Sequence, residues 1–372
     1  MKVGVLLDRF HAGKGGAEAW LERFAAAAAA AGHEPLLVTR DPRDPRGGGA
    51  FACWVPVPTG PGPRFFRDRA FARAADRVAR AAGAEATLGV RHVRSCDLYQ
   101  PHGGVHRAAL EGTLASLDGA AARSARRAAR AVSPKQRALL EFEGALLGVG
   151  GAKRVVALSR RVLRDLETHF PAAVGRAVVI PPGVDLERFR PAPPAASGPP
   201  RALFLAATPR LKGLGPLLDA LARVRRGGLD LRLTAGGGFR PGPWRRRAAR
   251  LGMESAVDFP GHAADPRPLF AAADFLAHPT FYDPCSLVVL EALASGRPVV
   301  TTVANGAAEW VDRGAGRVTG DPRDVEALAE ALAETAATAR EESTTAAARR
   351  SAEAAEGPGR VEEVLALLTA ST

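Results

Sequence analysis

Ten residues near the middle of the chain, PAPPAASGPP at 191–200, separate two stretches that repeat one alternation of short apolar runs and helical patterns. Proline lacks a backbone donor and fixes φ, so neither a helix nor a central strand runs through such a segment. Before it lie VGVLL (3–7), PLLVT (35–39), ATLGV (86–90), RVVALS (154–159) and AVVIPPGVD (177–185). The helical pattern AEAWLERFAAAAAAAGH follows the first of these, and another runs to about Phe170. After it lie ALFLAA (202–207), LRLTAGGG (231–238), AVDFPG (256–261), DFLAHPT (274–280) and RPVVTT (297–302), with helices expected over 214–224, 244–251, AAEWVDRG and 325–356. GPG (357–359) precedes a last amphipathic helix, VEEVLALLTA. Runs this apolar fit strands covered on both faces, and strand–helix–strand alternation points to doubly wound α/β units with parallel sheets. The expected organisation is a domain at 1–190, a linker at 191–200, a second domain at 201–345 and C-terminal helices over 346–372. A chain of 372 residues exceeds the size at which one core usually suffices. Ligands of such sheets bind beyond the carboxyl ends of the strands.

Charge is unevenly placed. Residues 1–200 hold 30 Lys and Arg against 18 Asp and Glu, whereas residues 201–372 hold 21 of each. The whole excess of +12 sits in the first half, which suits an anionic partner: a membrane surface, a phosphorylated lipid or saccharide, or nucleic acid. Two stretches carry it. PRFFRDRAFARAADRVAR mixes Phe65, Phe66 and Phe71 with Arg64, Arg67, Arg69 and Arg73, and AARSARRAAR spaces Arg123, Arg126, Arg127 and Arg130 along a helix. Both fit an interfacial contact, and equally a solvated helix face. No nucleic-acid-binding motif is present. Cys53, Cys96 and Cys285 show no C-x-x-C spacing and cannot all pair, which favours a reducing, cytoplasmic compartment, with the inner face of the membrane as the surface in reach. The apolar run before Asp8 is too short for a secretory signal, and no run approaches the ~20 residues of a membrane span.

Four short stretches carry chemistry. In FYDPCSLVVLEALASG (281–296), Glu291 stands among Leu287, Val288, Val289, Leu290, Ala292 and Leu293. Asp283 and Pro284 read as an N-cap and first helical residue, and Gly296 with Pro298 as the stop. A helix apolar on nearly all sides is buried, so its one acid needs a ligand or an edge where it reaches water; both readings stand here. At ~1.5 Å per residue the two acids are about 12 Å apart along the axis. ATPRLKGLGPLLDAL sets Arg210 and Lys212 between a strand and a helix, where a fork and a point charge suit a diphosphate. The loop DRFHAGKGGAEAW is neither G-x-G-x-x-G nor a Walker loop, yet Gly15 and Gly16 let backbone amides approach an anion. DLYQPHGGVHRAA contains His102 and His106, whose intervening Gly103 and Gly104 oppose a helical zinc pair. His102 is suited either to handling a proton or to a structural place.

Taken together, these stretches resemble the family-4 retaining glycosyltransferases of the GT-B fold, from Lys2 to about Leu332. The most specific part is the acid, seven residues, acid pattern of DPCSLVVLE, with AAADFLAHPT before it and EALASGRPVVTT after it; VALSRRVLRDL and IPPGVDLERF support it. Within that family the chain looks most like the lipopolysaccharide-core hexosyltransferases that glucosylate a heptose. The resemblance implies two Rossmann-like domains facing across a cleft, with the last helix packing back on the first domain. It implies that Glu291 binds the nucleotide ribose and Asp283 the donor-sugar hydroxyls. The amides of Cys285, Ser286 and Leu287 would hold the distal phosphate, Arg210 and Lys212 would neutralise the diphosphate, and Gly15 and Gly16 would bring the first loop against it. His102 would lie on the acceptor side. The family usually has Glu where this chain has Asp283, one methylene shorter, and the lipopolysaccharide-core relatives carry an Asp near the position of His102.

The implied reaction is transfer of a hexosyl group, glucosyl by the resemblance, from a UDP-sugar to a saccharide or lipid-linked acceptor with retention of configuration. No cofactor beyond the nucleotide sugar is expected, and no metal, since D-x-D is absent from the chain. Two other readings remain: a GT-B enzyme with a soluble acceptor or a nucleotide-sugar epimerase, and a non-catalytic nucleotide-sugar-binding module.

Overall fold

The computed structural model describes residues 1–11, 15–40, 49–91, 93–193, 197–356 and 360–370. Part of the HAGKGG loop, part of the proline-rich linker and the GPG interruption lie outside the described residues. The chain forms two compact units: Met1–Leu110, Gly119–Pro182 and Pro358–Thr372 in the first, Glu111–Asp118 and Gly183–Gly357 in the second.

The first unit is built on β1 (Lys2–Leu6), α1 (Gly16–Ala30), β2 (Glu34–Thr39), β3 (Cys53–Pro56), α2 (Arg64–Ala81), β4 (Ala86–Gly89) and β5 (Leu98–Tyr99). There follow α3 (His106–Ala115), whose second half belongs to the second unit, α4 (Ala120–Ala131), α5 (Pro134–Leu147), β6 (Arg154–Ala157), α6 (Arg160–His169), α7 (Pro171–Val174) and β7 (Ala177–Val179). Its seven strands run in the order β3-β2-β1-β4-β5-β6-β7, all parallel. Val3, Val5 and Leu6 are fully buried, as a strand covered on both faces requires. Gly4 allows α2 to press on β1: a Cβ there would lie 3.1 Å from Ala79 Cβ. Trp20 and Phe24 of α1 stack at 5.4 Å on the buried side of that helix.

The second unit continues with β8 (Arg201–Leu205), α8 (Leu214–Arg226), β9 (Arg232–Gly236), α9 (Gly242–Arg250), β10 (Val257–Gly261), α10 (Arg267–Ala272) and β11 (Phe275–His278). After these come α11 (Leu287–Ala294), β12 (Val299–Thr302), a 3-10 turn at Gly306–Trp310, β13 (Gly316–Thr319), α12 (Val325–Thr338) and α13 (Glu342–Glu356). The sheet order is β10-β9-β8-β11-β12-β13, again parallel. Phe204, Leu217, Leu221, Phe275, Leu328 and Leu332 meet in one core between sheet and helices. Helix α14 (Arg360–Thr369) then joins the first unit, burying Val361, Val364 and Leu368 and packing on α1 and β4.

Both sheets are doubly wound, and in each the strand order reverses once, between β1 and β4 and between β8 and β11. Those reversals open crevices beyond the strands' carboxyl ends. One expected element is shifted. The helix carrying Glu291 starts at Leu287 with Ser286 as its N-cap residue, and Asp283 lies outside it, paired as a β-bridge with Asn305. The 12 Å helical spacing of the two acids therefore does not hold, because 283–286 is not helical. AAEWVDRG forms a 3-10 turn capped by Asn305 rather than an α-helix. No helix among the described residues is long and apolar enough to cross a membrane.

Candidate functional site

In the second unit the crevice between β8 and β11 is bordered by the loop after Leu205 and the segment after His278. The loop turns tightly: Lys212 N–H donates to Thr208 C=O at 3.1 Å, and Leu214 N–H to Pro209 C=O at 2.9 Å. Gly213 sits at φ +83°, and a Cβ on it would fall 1.9 Å from Pro279 C=O. Only glycine combines that dihedral with that approach. Phe281 N–H and Thr280 Oγ1 both donate to Leu211 C=O, at 2.9 and 3.1 Å, so the two segments are stitched together. Lys212 Nζ consequently reaches Asp283 Oδ2 at 2.7 Å and Tyr282 C=O at 3.0 Å. Both side chains are largely buried, 18% and 10% exposed. A charged pair so placed gains from the low local dielectric and leaves a costly orphan if either partner is removed.

Arg210 goes elsewhere: half exposed, it pairs with Asp118 Oδ2 at 3.4 Å. Asp118 also lies 3.7 Å from Arg247 Nη1. Asn305, buried at 2% exposure, organises the head of α11. Its Oδ1 accepts from Ser286 N–H at 3.3 Å and Ala307 N–H at 3.0 Å, while its Nδ2 donates to Thr301 Oγ1 at 3.0 Å. An anion drawing on the Ser286 amide would compete with Asn305. Cys285 and Ser286 are buried, Leu287 and Glu291 half-buried. Burial, with Lys212⁺ adding to it, lowers the His278 imidazole to about 4, against the opposing pull of Asp283. The far end of α11 is fixed by Arg349 of α13, whose Nη1 donates to Ala294 C=O at 3.0 Å.

In the first unit the crevice between β1 and β4 holds a cavity of about 410 Å³. Asp8 follows β1, and Val90 and Arg91 follow β4; α2 contributes Arg64, Asp68 and Phe71, and α5 contributes Lys135, Leu139 and Phe142. His102 lines it too. The His102 ring packs at 4.9 Å from Trp20, and its Nε2 is buried with no hydrogen-bond partner among the described residues. Burial, and secondarily Arg91⁺, pushes His102 down to about 3, so it is neutral at physiological pH. Gly15 and Gly16 border an adjoining hollow that shares Asp8, Arg64 and Arg91. His106 opens α3, and its Nε2 meets Gln136 Oε1 at 2.9 Å. Its backbone N–H and that of Arg107 are capped by the Glu143 carboxylate. Burial lifts Glu143 to about 7 despite both amides.

Of the sequence-selected residues, the second unit brings together Lys212 and Asp283 and places Cys285, Ser286, Leu287 and Glu291 on the same segment. His102, Gly15, Gly16 and Arg64 line the first unit's cavities. Arg67 Nε is buried, and Arg130 donates to Leu110 C=O at 2.7 Å. Arg126 and Arg127 are exposed along α4, which buries none of its side chains. Sequence reasoning missed Asp8, Arg40, Asp68, Glu143 and Asn305. Asp8 was available from its place just after a buried apolar run. Among the described residues no three His, Cys, Asp or Glu side chains gather as metal ligands.

Residues 14–188 match the family described as Glycosyltransferase Family 4, and residues 199–338 match Glycosyl transferases group 1. Together they cover most of the chain, each on one of the two sheets. The chain belongs to the family-4 glycosyltransferases. A D-inositol 3-phosphate glycosyltransferase of Pseudarthrobacter chlorophenolicus is 34% identical over 176 residues, 43% of this chain and 42% of that one. The chain spans about half the length of the curated relatives it matches. The crystal structure of WaaG, a glycosyltransferase involved in lipopolysaccharide biosynthesis, superposes with a TM-score of 0.80 at 22% identity, covering 99% of this chain and all of that one. HepE of Anabaena, solved in complex with UDP and glucose, superposes with a TM-score of 0.70 at 18% identity over the full length of both chains. The fold is α/β GT-B, as expected from the sequence.

Proposed function

We propose that this family-4 glycosyltransferase moves a hexosyl group, glucosyl in the simplest case, from a UDP-sugar to a saccharide or lipid-linked acceptor of the lipopolysaccharide-core kind, with retention of configuration. The observation that carries the reading is the Lys212–Asp283 contact at 2.7 Å across the β8/β11 reversal, next to the amino end of a buried helix. There a nucleotide diphosphate meets a fixed cation and the helix's partial positive charge. Asp283 takes the sugar hydroxyls and Glu291 the ribose. Arg210, on a half-exposed side chain, is free to exchange Asp118 for phosphate oxygens. These groups stabilise the departing diphosphate electrostatically, and no metal is assigned to the reaction. His102 serves the acceptor side, and the backbone amides at Gly15 and Gly16 serve the donor's anion. The exposed Arg126 and Arg127 of α4 hold the protein on an anionic, cytoplasm-facing membrane, where a lipid-linked acceptor would be found.

A thermal-shift panel of UDP-, GDP- and ADP-sugars tests the donor assignment, because a ligand at 100 times its Kd stabilises the native state by about 2.7 kcal/mol. Selective stabilisation by UDP-sugars is expected. Indifference to every nucleotide would remove the reading.

A further inference from the structure

A second guanidinium lies beside Arg210. Asp118 Oδ2 is 3.4 Å from Arg210 Nη1 and 3.7 Å from Nη1 of Arg247, on α9. Two further contacts hold Arg247 in that place. Its Nη2 donates to Asp219 Oδ2 of α8 at 2.6 Å. Its guanidinium also lies over the first turn of α8, where a Cβ on Gly215 would be 3.5 Å from Arg247 Cζ. Nη2 is thus committed to Asp219, whereas Nη1 has Asp118 only beyond hydrogen-bond reach. Because α8 begins directly after the R-x-K-G loop, both guanidiniums stand at the carboxyl end of β8.

The segment that carries Asp118 is itself fixed. Glu111–Asp118 belongs to the second unit. Gly112 presses on the stretch leading to Asp283 so closely that a Cβ would fall 2.4 Å from Tyr282 Cβ and 3.1 Å from Phe281 C=O. Arg323 Nη2 donates to Ala115 C=O at 3.0 Å, and its guanidinium lies 5.6 Å from the centre of the Phe281 ring. Two guanidiniums facing one oxygen form an arrangement that suits a phosphate, and Asp118 stands where that anion would be. With its side chain 76% exposed, Asp118 makes a weak pair that a more highly charged anion outcompetes. We infer that Arg247 is a second fork for the diphosphate of the nucleotide sugar, and that Asp118 is a built-in competitor holding Arg210 and Arg247 until the donor displaces it. The inference rests on the proposed donor site, to which it adds a cation from α9 and an acid from the turn after α3.

The test is calorimetric titration of the full chain with UDP and with pyrophosphate. Asp118→Asn removes the competitor and should tighten both ligands by up to about fivefold, the most that an exposed ion pair returns. That gain should shrink as salt rises. Asp230→Asn makes the same change in net charge ahead of β9, at the other end of the parallel sheet, and should leave both affinities unchanged. Arg247→Lys keeps a charge for Asp219 but loses the fork, and should weaken both ligands about tenfold at an unaltered melting temperature. No gain in Asp118→Asn, or an equal gain in Asp230→Asn, would overturn the competitor. Undiminished affinity in Arg247→Lys would overturn the second fork, and a chain that binds neither ligand would overturn both. Pyrophosphate binding that answers to both substitutions in a protein indifferent to UDP would uphold the inference and sink the donor assignment instead.

Discussion

The two units share one architecture but differ in the titratable groups their crevices bury. In the second, Lys212 and Asp283 are buried together, each answered by the other. In the first, burial shifts two titratable groups toward their neutral forms: His102, lowered to about 3, and Glu143, raised to about 7. A ligand of permanent charge needs a counter-charge in place before it arrives, because building one on demand costs reorganisation. A hydroxylated ring asks instead for neutral or acceptor groups, with cations kept to the rim. The same parallel architecture thus carries two different charge environments at its crevices, set by the loops beyond the strands.

Removing the cation from the second unit tests this contrast most severely. Lys212→Ala should lower hexosyl transfer by about 10²–10³-fold, the loss seen when one preorganised donor to a developing anion is deleted. Transfer rates measured beside the melting temperature separate that loss from instability caused by orphaning Asp283. Near-normal transfer would erase the distinction between the units.

The first unit should show its character as a pH dependence. Glu143 titrates near 7 in the folded chain against an ordinary 4.5. Between those values the native state holds a proton that the unfolded state has lost, so stability falls as pH rises through that window. Across the whole window the fall amounts to roughly 3–4 kcal/mol, at 1.36 kcal/mol per unit. Urea unfolding at pH 5 and pH 8 should show it in the wild type, and Glu143→Gln should flatten it. An unchanged slope in the variant would mean that the carboxyl is hydrated. The smallest effect belongs to the surface: replacing Arg126 and Arg127 by Gln should weaken binding to anionic vesicles by about 1 kcal/mol each and reduce its salt dependence. Neutral vesicles should not distinguish the two proteins.

The sheets were legible because parallel strands buried on both faces must be apolar throughout, as VGVLL and ALFLAA are. Strands β3 and β5 were not, since CWVP sits half exposed at an edge and Leu98–Tyr99 is too short to show a period. The R-x-K-G loop was readable because Gly213 marks a position where only glycine fits. The head of α11 was misplaced because Asp283, with proline next to it, satisfies the local rule for an N-cap. Tertiary partners, Lys212 for its side chain and Asn305 for its backbone, outweigh that rule. Glu143 in LLEFEGALL and Glu291 in LVVLEALA give one signal, an acid in an apolar helix. Only the first drew no notice, because no flanking motif accompanied it.

Helix α14 lies against α1 and β4, although more than 170 residues of the other unit precede it in the chain. A ribosome making this protein therefore leaves the flank of α1 uncovered until the final stretch has cleared the exit tunnel. The first unit is completed only after the second has been made, so nascent chains that stall before α14 carry an open apolar seam for chaperones to occupy.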